Sequence, residues 1–134
     1  MLTIYLSGAI SNKDINVAKK EFSKAERKIK KDLKTLKIDK NYYEIINPFR
    51  VLKINKKYKY EDYLKADIIE LIDCDIVVDI QNAGHKKSKG RKLEIAIARA
   101  LKIKVYAISS FLQMFYIDYL KGKQQWLMKK IELN

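Results

Sequence analysis

Residues 75–101 read DIVVDIQNAGHKKSKGRKLEIAIARAL, and this stretch indicates the fold class. Its first part is an apolar run that predicts a strand over Ile76–Ile80. Its last part, Lys89–Leu101, is alanine-rich and predicts a helix. The side chains expected to pack this helix on a sheet are Leu93, Ala96, Ile97, Ala100 and Leu101. A strand, a loop and a helix in this order form the unit from which parallel α/β sheets are built.

The same alternation continues on both sides of this stretch. Strands are predicted at Leu2–Leu6, Tyr43–Ile46 and Ile103–Ile108, and helices at Ile15–Leu36, Tyr60–Ile72 and Phe111–Leu120. The segment Phe49–Lys59 is predicted to be an irregular loop. This pattern predicts an α/β fold: a doubly wound parallel sheet of four to five strands, in the order 2-1-3-4(-5), with helices on both faces.

A sheet with this strand order has its switch point between the first and third strands, and ligands bind beyond the carboxyl ends of the strands there. Gly8 follows the first strand and Ser88 follows the third, so both are expected at one crevice. Gly8 could let a ligand approach the backbone closely, or it could be an ordinary turn glycine. Ser88 and Gly90 at a helix start expose backbone N–H groups that suit an anion or a polar ligand.

The bulk composition limits the class of protein. The chain has 134 residues, of which 48% are hydrophobic, so we expect one folded domain over residues 1–134. Its formal net charge of +13 has two interpretations. One is attraction to nucleic acid or phosphate. The other is a lysine-rich composition with the lysines on solvated faces; we favour this one and do not expect nucleic acid as a partner.

Cysteine and hydropathy patterns indicate the compartment. The single cysteine, Cys74, cannot form an internal disulfide, which fits a reducing environment. No apolar run reaches membrane-spanning length, and the N-terminal residues lack a secretory pattern. We therefore expect a cytoplasmic protein with no membrane partner. The single histidine, His85, has neither a second histidine nor a cysteine cluster with which to build a common metal site.

Three side chains near the predicted crevice are candidates for chemistry. Glu94 could act as a nucleophile, because a carboxylate beside an anomeric carbon can form a glycosyl-enzyme intermediate. Tyr5 lies on the face of its strand opposite Ile4 and Leu6, and its phenol could orient Glu94. Asp67 could bind sugar hydroxyls or protonate a leaving base. The structural alternatives are a solvated helix glutamate, a core tyrosine and an exposed helix aspartate.

Several short motifs, taken together, carry a resemblance to a known family. They are Ile4-Tyr5-Leu6-Ser7-Gly8-Ala9-Ile10, Ile46-Asn47-Pro48, Tyr60-Glu61-Asp62-Tyr63-Leu64-Lys65-Ala66-Asp67, Cys74-Asp75-Ile76-Val77-Val78, and Ser88 through Glu94 with Ala98. In their order and spacing they resemble the nucleoside 2-deoxyribosyltransferase superfamily. That superfamily includes short uncharacterised relatives and a branch of deoxynucleoside 5'-monophosphate N-glycosidases. The resemblance runs from about Leu2 to Ile108.

The resemblance implies a flavodoxin-like fold and an enzyme that cleaves or transfers the N-glycosidic bond of 2'-deoxyribonucleosides. It implies that Glu94 is the nucleophile at C1' of the sugar and forms a glutamyl-deoxyribosyl intermediate, that Tyr5 orients it, and that Asp67 contacts the deoxyribose. The implied substrate-binding residues are Gly8, Ala9, Ile10, Ser88 and Gly90. The implied partners are a deoxynucleoside or deoxynucleotide, a free nucleobase, and a neighbouring copy in a homo-oligomer. No metal or organic cofactor is implied.

Three positions depart from the patterns of the two branches. The transferase branch has an aspartate that contacts the base where this chain has Ser88, and the glycosidase branch has a phosphate-contacting serine there. The glycosidase branch also has a serine where this chain has Ala9, and the second glycine of the usual Gly-x-Gly is Lys92. Three alternatives therefore stay open: transfer between bases, hydrolysis of a deoxynucleoside 5'-monophosphate, and non-catalytic binding of a nucleotide or nucleic acid.

Overall fold

The computed structural model describes residues 1–10, 14–51, 60–81 and 89–120. Strands and helices alternate along these residues. In chain order they are β1 (Leu2–Ser7), α1 (Ile15–Thr35), β2 (Tyr43–Ile46), α2 (Pro48–Val51), α3 (Tyr60–Ile72), β3 (Ile76–Asp79), α4 (Lys89–Ala100), β4 (Lys104–Ala107) and α5 (Phe111–Leu120). Short 3-10 turns at Lys40–Tyr42 and Ile108–Ser110 precede β2 and α5.

The four strands form one parallel sheet in the order β2-β1-β3-β4. Ile4 of β1 pairs with Ile45 on one side and with Ile76 on the other, and Ser7 pairs with Asp79. This arrangement confirms the predicted order 2-1-3-4 and a flavodoxin-like fold. Among the described residues the sheet has four strands, the lower number of the predicted four to five. The switch point falls between β1 and β3, at the end marked by the Ser7–Asp79 pair.

The two faces of the central strand β1 pack against different helices. The first hydrophobic cluster joins Leu2, Ile4 and Leu6 to residues of α1 and α5. The second cluster joins Tyr5 to Leu71 of α3 and Ala98 of α4. Because successive side chains of a strand point to opposite faces, Tyr5 turns away from Ile4 and Leu6, as the sequence predicts.

Helix α1 covers the first of these faces. Its start is fixed by Asp14, whose side chain accepts hydrogen bonds from the backbone nitrogens of Asn16 and Val17 and so satisfies two free donors of the first turn. Phe22 and Ile29, which lie two turns apart, are fully buried against the sheet. The many lysines of this helix lie mainly on its exposed side.

The predicted loop over Phe49–Lys59 is wrong in its first part, because Pro48–Val51 forms the short helix α2. Asn47 precedes this helix and is buried, and its side-chain oxygen accepts a hydrogen bond from the Phe49 nitrogen. Proline suits a first helical position, since its fixed φ is already helical and its missing N–H has no partner to lose there. The remaining residues of the predicted loop, 52–59, lie outside the described residues.

The predicted inner face of the helix α4 is right for Ile97, which packs half-buried against the second cluster, and wrong for the other four residues, which are exposed. The buried residues of this helix are Glu94, Ile95 and Ala98, whereas Leu93 and Leu101 are 41% and 50% exposed. Apolar residues occur on several sides of this helix, so hydrophobicity alone did not identify the buried side. The helix is rotated so that the carboxyl of Glu94 enters the core, which apolar patterning cannot predict.

Candidate functional site

Four polar side chains lie buried on the α3/α4 side of the sheet, near the carboxyl end of β1. Tyr5 and Ser7 are fully buried, Glu94 is 4% exposed and Asp67 is 8% exposed. The carboxyl groups of Glu94 and Asp67 both raise the pKa of Tyr5. Tyr5, Asp67 and Ser7 all change the pKa of Glu94, so the four side chains are close together. The structure thus brings together the three candidates Tyr5, Asp67 and Glu94.

Local structure explains why these side chains meet. Tyr5 and Ser7 are two residues apart in a strand and therefore point to the same face. Glu94 shares the inner side of α4 with Ala98, four residues later. Asp67 shares the inner side of α3 with Leu71 by the same spacing. The two carboxyl groups therefore approach β1 from two neighbouring helices.

Burial changes the ionisation of both carboxyl groups. The pKa of Glu94 is raised from 4.5 to about 8; burial is the main cause, the Asp67 carboxyl contributes to the rise, and the Tyr5 and Ser7 hydroxyls oppose it. Burial, followed by repulsion from Glu70, raises the pKa of Asp67 from 3.8 to about 7. The Asp67 carboxyl disfavours the charged form of Glu94, so the ionisation of the two groups is linked. Near neutral pH the pair binds protons that exposed carboxyl groups would have released.

Three buried polar atoms of this site have no hydrogen-bond partner: Oη of Tyr5, Oγ of Ser7 and Oε2 of Glu94. The Tyr5 and Ser7 hydroxyls are close enough to lower the pKa of Glu94, yet neither makes a hydrogen bond of normal geometry in this arrangement. Buried polar atoms are nearly always paired in folded proteins, because leaving one unpaired costs about 1–3 kcal/mol. Three such atoms in one cluster at the switch point make this cluster the candidate functional site.

The Tyr5 phenol of this cluster is held in its neutral form. Burial, then the charges of Glu94 and Asp67, raise its pKa far above the ordinary value of 10.0. The hydroxyl therefore stays protonated at any physiological pH. Because it is neutral and fully buried, it can donate a hydrogen bond to a carboxylate without competition from water.

An ion pair joins the two chain segments that frame the crevice. Arg91, in the first turn of α4, donates from Nε to Oδ1 of Asp79 at 2.8 Å and from Nη2 to Oδ2 at 2.5 Å. Both side chains are only 14% exposed. Asp79 ends β3, pairs with Ser7 across the sheet and also accepts a bond from the Gln81 nitrogen. A two-point pair of this kind fixes the start of α4, and hence Glu94, relative to β1 and β3.

The predicted binding residues that follow β1 are held by packing. A Cβ added to Gly8 would lie 2.6 Å from Cγ1 of Ile80 and 3.1 Å from Cζ of Phe22, so packing alone accounts for the glycine. Ala9 is 4% exposed, and Ile10 is half-buried against the α1 cluster. The proposed contacts of these three residues with a ligand stay predictions.

The other two predicted binding residues lie at the start of α4. Gly90 is half-buried in the first turn of this helix. Ser88 lies outside the described residues. The structure therefore places Gly90 near the crevice and leaves the predicted role of Ser88 a prediction.

Sequence reasoning missed two features of this site. One is Ser7, which received no role of its own, although its spacing of two from Tyr5 is sufficient to place both on one strand face. The other is Arg91. Its pairing with Asp79 depends on the fold, which brings the end of β3 to the start of α4, and no local pattern indicates it.

Other classes of site receive no support from the residues that the structure describes. Among residues 1–10, 14–51, 60–81 and 89–120, no three His, Cys, Asp or Glu side chains are grouped so that they could hold a metal ion. Within the same ranges, no helix combines the length and the apolar character needed to cross a membrane.

The thiol of Cys74 is buried and contacts the Glu70 carbonyl oxygen. Burial raises the pKa of this thiol to about 12, so it is not a reactive thiolate.

Comparison with known proteins gives one match. A family model described as a domain of unknown function (DUF4406) matches residues 2–107. This span includes all four strands and the buried residues Tyr5, Ser7, Asp67 and Glu94. The chain matches no curated protein and no solved structure at a significant level.

Proposed function

We propose that this chain, which belongs to the DUF4406 family, cleaves the N-glycosidic bond of a 2'-deoxyribonucleoside or of its 5'-monophosphate. The observation that carries the proposal is the carboxyl of Glu94, buried beside Tyr5 and Asp67 at the switch point with one oxygen unpartnered. Ligands of such sheets bind at that point. The resemblance of the sequence to the nucleoside 2-deoxyribosyltransferase superfamily assigns the same three residues to the reaction centre.

A structural role explains this carboxyl poorly. An ionised carboxylate in the core is costly unless a cation or several donors compensate it. The groups that act on Glu94 are Tyr5, Asp67 and Ser7, and none of them is a cation. An apolar residue of similar size would be more stable at this position. Buried ionisable groups with strongly shifted pKa values cluster at functional sites, and this one lies where the fold places ligands.

In the proposed reaction the ionised Glu94 carboxylate attacks C1' of the deoxyribose. The bond between C1' and the base nitrogen breaks, its electron pair leaves with the base, and the base takes up a proton. The transition state resembles an oxocarbenium ion, so a nearby unsolvated carboxylate stabilises it electrostatically. The product of this step is a glutamyl-deoxyribosyl ester and a free base.

A second step regenerates the carboxylate. If a nitrogen of another nucleobase attacks C1', the sugar is transferred and a new nucleoside forms. If water attacks, the sugar is released by hydrolysis. Tyr5 donates to the carboxylate and fixes its direction of attack, and Asp67 contacts the sugar. The Arg91–Asp79 pair holds α4, and therefore the nucleophile, at a constant distance from β1.

We further propose that two copies of the chain associate through α3 and α4. These helices expose Ile69 (64% exposed), Ile72 (50%) and Leu93 (41%), and Leu101 (50%), directly after α4, is exposed as well. Exposed apolar side chains on two adjacent helices can form an interaction surface. The same helices carry Asp67 and Glu94 on their inner sides, so a partner there would lie next to the reaction site.

Charge complementarity supports a second copy as the partner. The acidic Glu61 of α3 and Asp73 just after it are exposed, whereas the exposed residues of α4 include the basic Lys92 and Arg99. In a two-fold dimer the same patch of each copy contacts the other, so the acidic helix of one copy can face the basic helix of its partner.

We place this enzyme in the cytoplasm, in keeping with its single cysteine.

A product assay tests the proposed activity. The full chain is incubated with deoxyinosine or with dGMP, with and without adenine, and the bases and sugars are separated by chromatography. Base release that requires adenine and yields deoxyadenosine indicates transfer, and release without adenine indicates hydrolysis. Glu94→Gln should lower either rate by several orders of magnitude, about 10³-fold or more. Equal base release by the wild type and by Glu94→Gln would exclude the proposed nucleophile.

A further inference from the structure

We propose that Ser7 is a positioning residue for Glu94: when the carboxylate is ionised, the Ser7 hydroxyl donates a hydrogen bond to it alongside that of Tyr5. Two donors from one strand then hold the carboxylate in a single orientation. The consequence for catalysis rests on the proposed function. The hydrogen bond itself does not, and it can be measured without any substrate.

The first support is the position of Ser7. It is fully buried at the end of β1, two residues after Tyr5, and so shares the strand face that meets α4. Its backbone is held against β3, because its carbonyl accepts from the Ile80 nitrogen at 2.9 Å and it pairs with Asp79. Only the side-chain torsion of Ser7 is left free to direct the hydroxyl.

The second support is that donor and acceptor both lack partners. Oγ of Ser7 and Oε2 of Glu94 are buried and make no hydrogen bond in this arrangement. A serine hydroxyl carries one donor, and an ionised carboxylate has room for several. A hydrogen bond between these two atoms would satisfy both of them at once. The gain is largest when the carboxylate is charged, since hydrogen bonds to ions are about twice as strong as neutral ones.

The third support is the electrostatic effect of Ser7. Among the groups that act on Glu94, burial and the Asp67 carboxyl of α3 disfavour its charge, whereas the Tyr5 and Ser7 hydroxyls of β1 favour it. Arg91, on α4 itself, is bound to Asp79. Ser7 therefore acts against the two unfavourable influences. A serine that merely filled space would have no such effect on the charge of its neighbour.

The experiment compares the titration of Glu94 in the wild type and in Ser7→Ala. The side-chain carboxyl carbons of glutamate are labelled with ¹³C and followed by NMR against pH, and Glu94→Gln identifies the signal. Loss of one hydrogen bond to a charged group should raise the titration midpoint by about one pH unit or more. Ser7→Cys, which keeps the shape but donates weakly, should give a smaller rise in the same direction.

Tyr106→Phe is the matched control, because it also removes a buried hydroxyl, but one that bonds to Asp118 in the other hydrophobic cluster. It should leave the Glu94 midpoint unchanged. The proposal is overturned if the midpoint in Ser7→Ala equals that of the wild type, or if Tyr106→Phe moves it as much. These outcomes do not depend on turnover, so they separate the role of Ser7 from the proposed reaction.

If the proposed reaction occurs, a kinetic readout follows from the same variants. Ser7→Ala should lower kcat at neutral pH with little change in KM, because the hydroxyl acts on the nucleophile and not on the substrate. Part of the loss should be recovered at higher pH, where the carboxylate is ionised without its help. A loss confined to KM would contradict a positioning role.

Discussion

Tyr5 and Glu94, from the central strand and from the helix that follows the third strand, are buried together and act on each other's ionisation. The Tyr5 hydroxyl lowers the pKa of Glu94, and the Glu94 carboxyl raises the pKa of Tyr5. Both effects favour a neutral phenol that donates to an ionised carboxylate. This relationship is the core of the proposed reaction centre.

Tyr5→Phe tests that relationship by removing only the hydroxyl. We expect kcat to fall by about 10- to 100-fold, which corresponds to one hydrogen bond to a charged group. The pKa of Glu94 should rise, because a stabilising donor is lost, so the acidic limb of the pH–rate profile should move to higher pH. Tyr116→Phe, at an exposed position on α5, is the control. An unshifted profile in Tyr5→Phe would disprove the assigned role.

Asp67→Asn should move the acidic limb of the pH–rate profile to lower pH, opposite to the shift expected for Tyr5→Phe. The Asp67 carboxyl raises the pKa of Glu94, so replacing it with a neutral amide lowers that pKa from about 8. Glu94 then stays ionised to a lower pH. On acidification, kcat/KM should therefore begin to fall at a lower pH than in the wild type. The maximal rate should also drop, because Asp67 is proposed to contact the sugar. Asp73→Asn, at an exposed position just after α3, should leave the profile in place.

Glu94→Gln should stabilise the fold in a pH-dependent way. The folded protein holds the Glu94 proton up to about pH 8, whereas the unfolded chain releases it near 4.5. The unfolded state therefore binds fewer protons in this window, and the free energy of unfolding of the wild type falls as pH rises through it. Above about pH 8 the variant should be more stable by up to a few kcal/mol, and near pH 4 the difference from this titration should vanish.

Urea unfolding at several pH values measures this difference. Glu44→Gln, on an exposed position of β2, serves as the control and should not reproduce the pH dependence. A Glu94→Gln variant whose advantage is the same at low and high pH would show that the carboxyl is not a desolvated ionisable group.

Ile69→Asp tests the proposed association through α3 and α4. Ile69 is 64% exposed, so the substitution should leave the fold intact while it places a charge in the proposed interface. Sedimentation or light scattering should detect a dimer of the wild type and a monomer of the variant. Met114→Asp, on the exposed side of α5, should keep the dimer. Equal masses for the wild type and Ile69→Asp would remove the α3/α4 surface as the interface.

The fold followed from the sequence because its signals are local and repeated. The apolar run at Ile76 and the periodicity of α1 each indicate one element, and the alternation of elements restricts the sheet to few topologies. The start of α2 was missed because it depends on the buried Asn47 cap rather than on periodicity. The rotation of α4 was missed because its inner side carries Glu94, a residue that hydrophobic patterning assigns to solvent.

The candidate site followed from the sequence only in part. Glu94, Tyr5 and Asp67 were singled out because of a family resemblance and their positions near the switch point, and the structure brings them together. Their pKa shifts depend on burial, which is a property of the packed fold and not of any motif. The Arg91–Asp79 pair joins a helix start to a strand end across the crevice, so only the fold makes it visible.

The central claim, that Glu94 is a nucleophile at C1', is tested most directly by trapping its ester. The protein is incubated with a 2'-fluoro-2'-deoxyarabinosyl purine nucleoside, whose electron-withdrawing fluorine slows the turnover of the glycosyl intermediate. Mass spectrometry should then find one sugar added to the wild type, on the peptide that contains Glu94, and none on Glu94→Gln. An unmodified wild type that releases base no faster than Glu94→Gln would contradict the account.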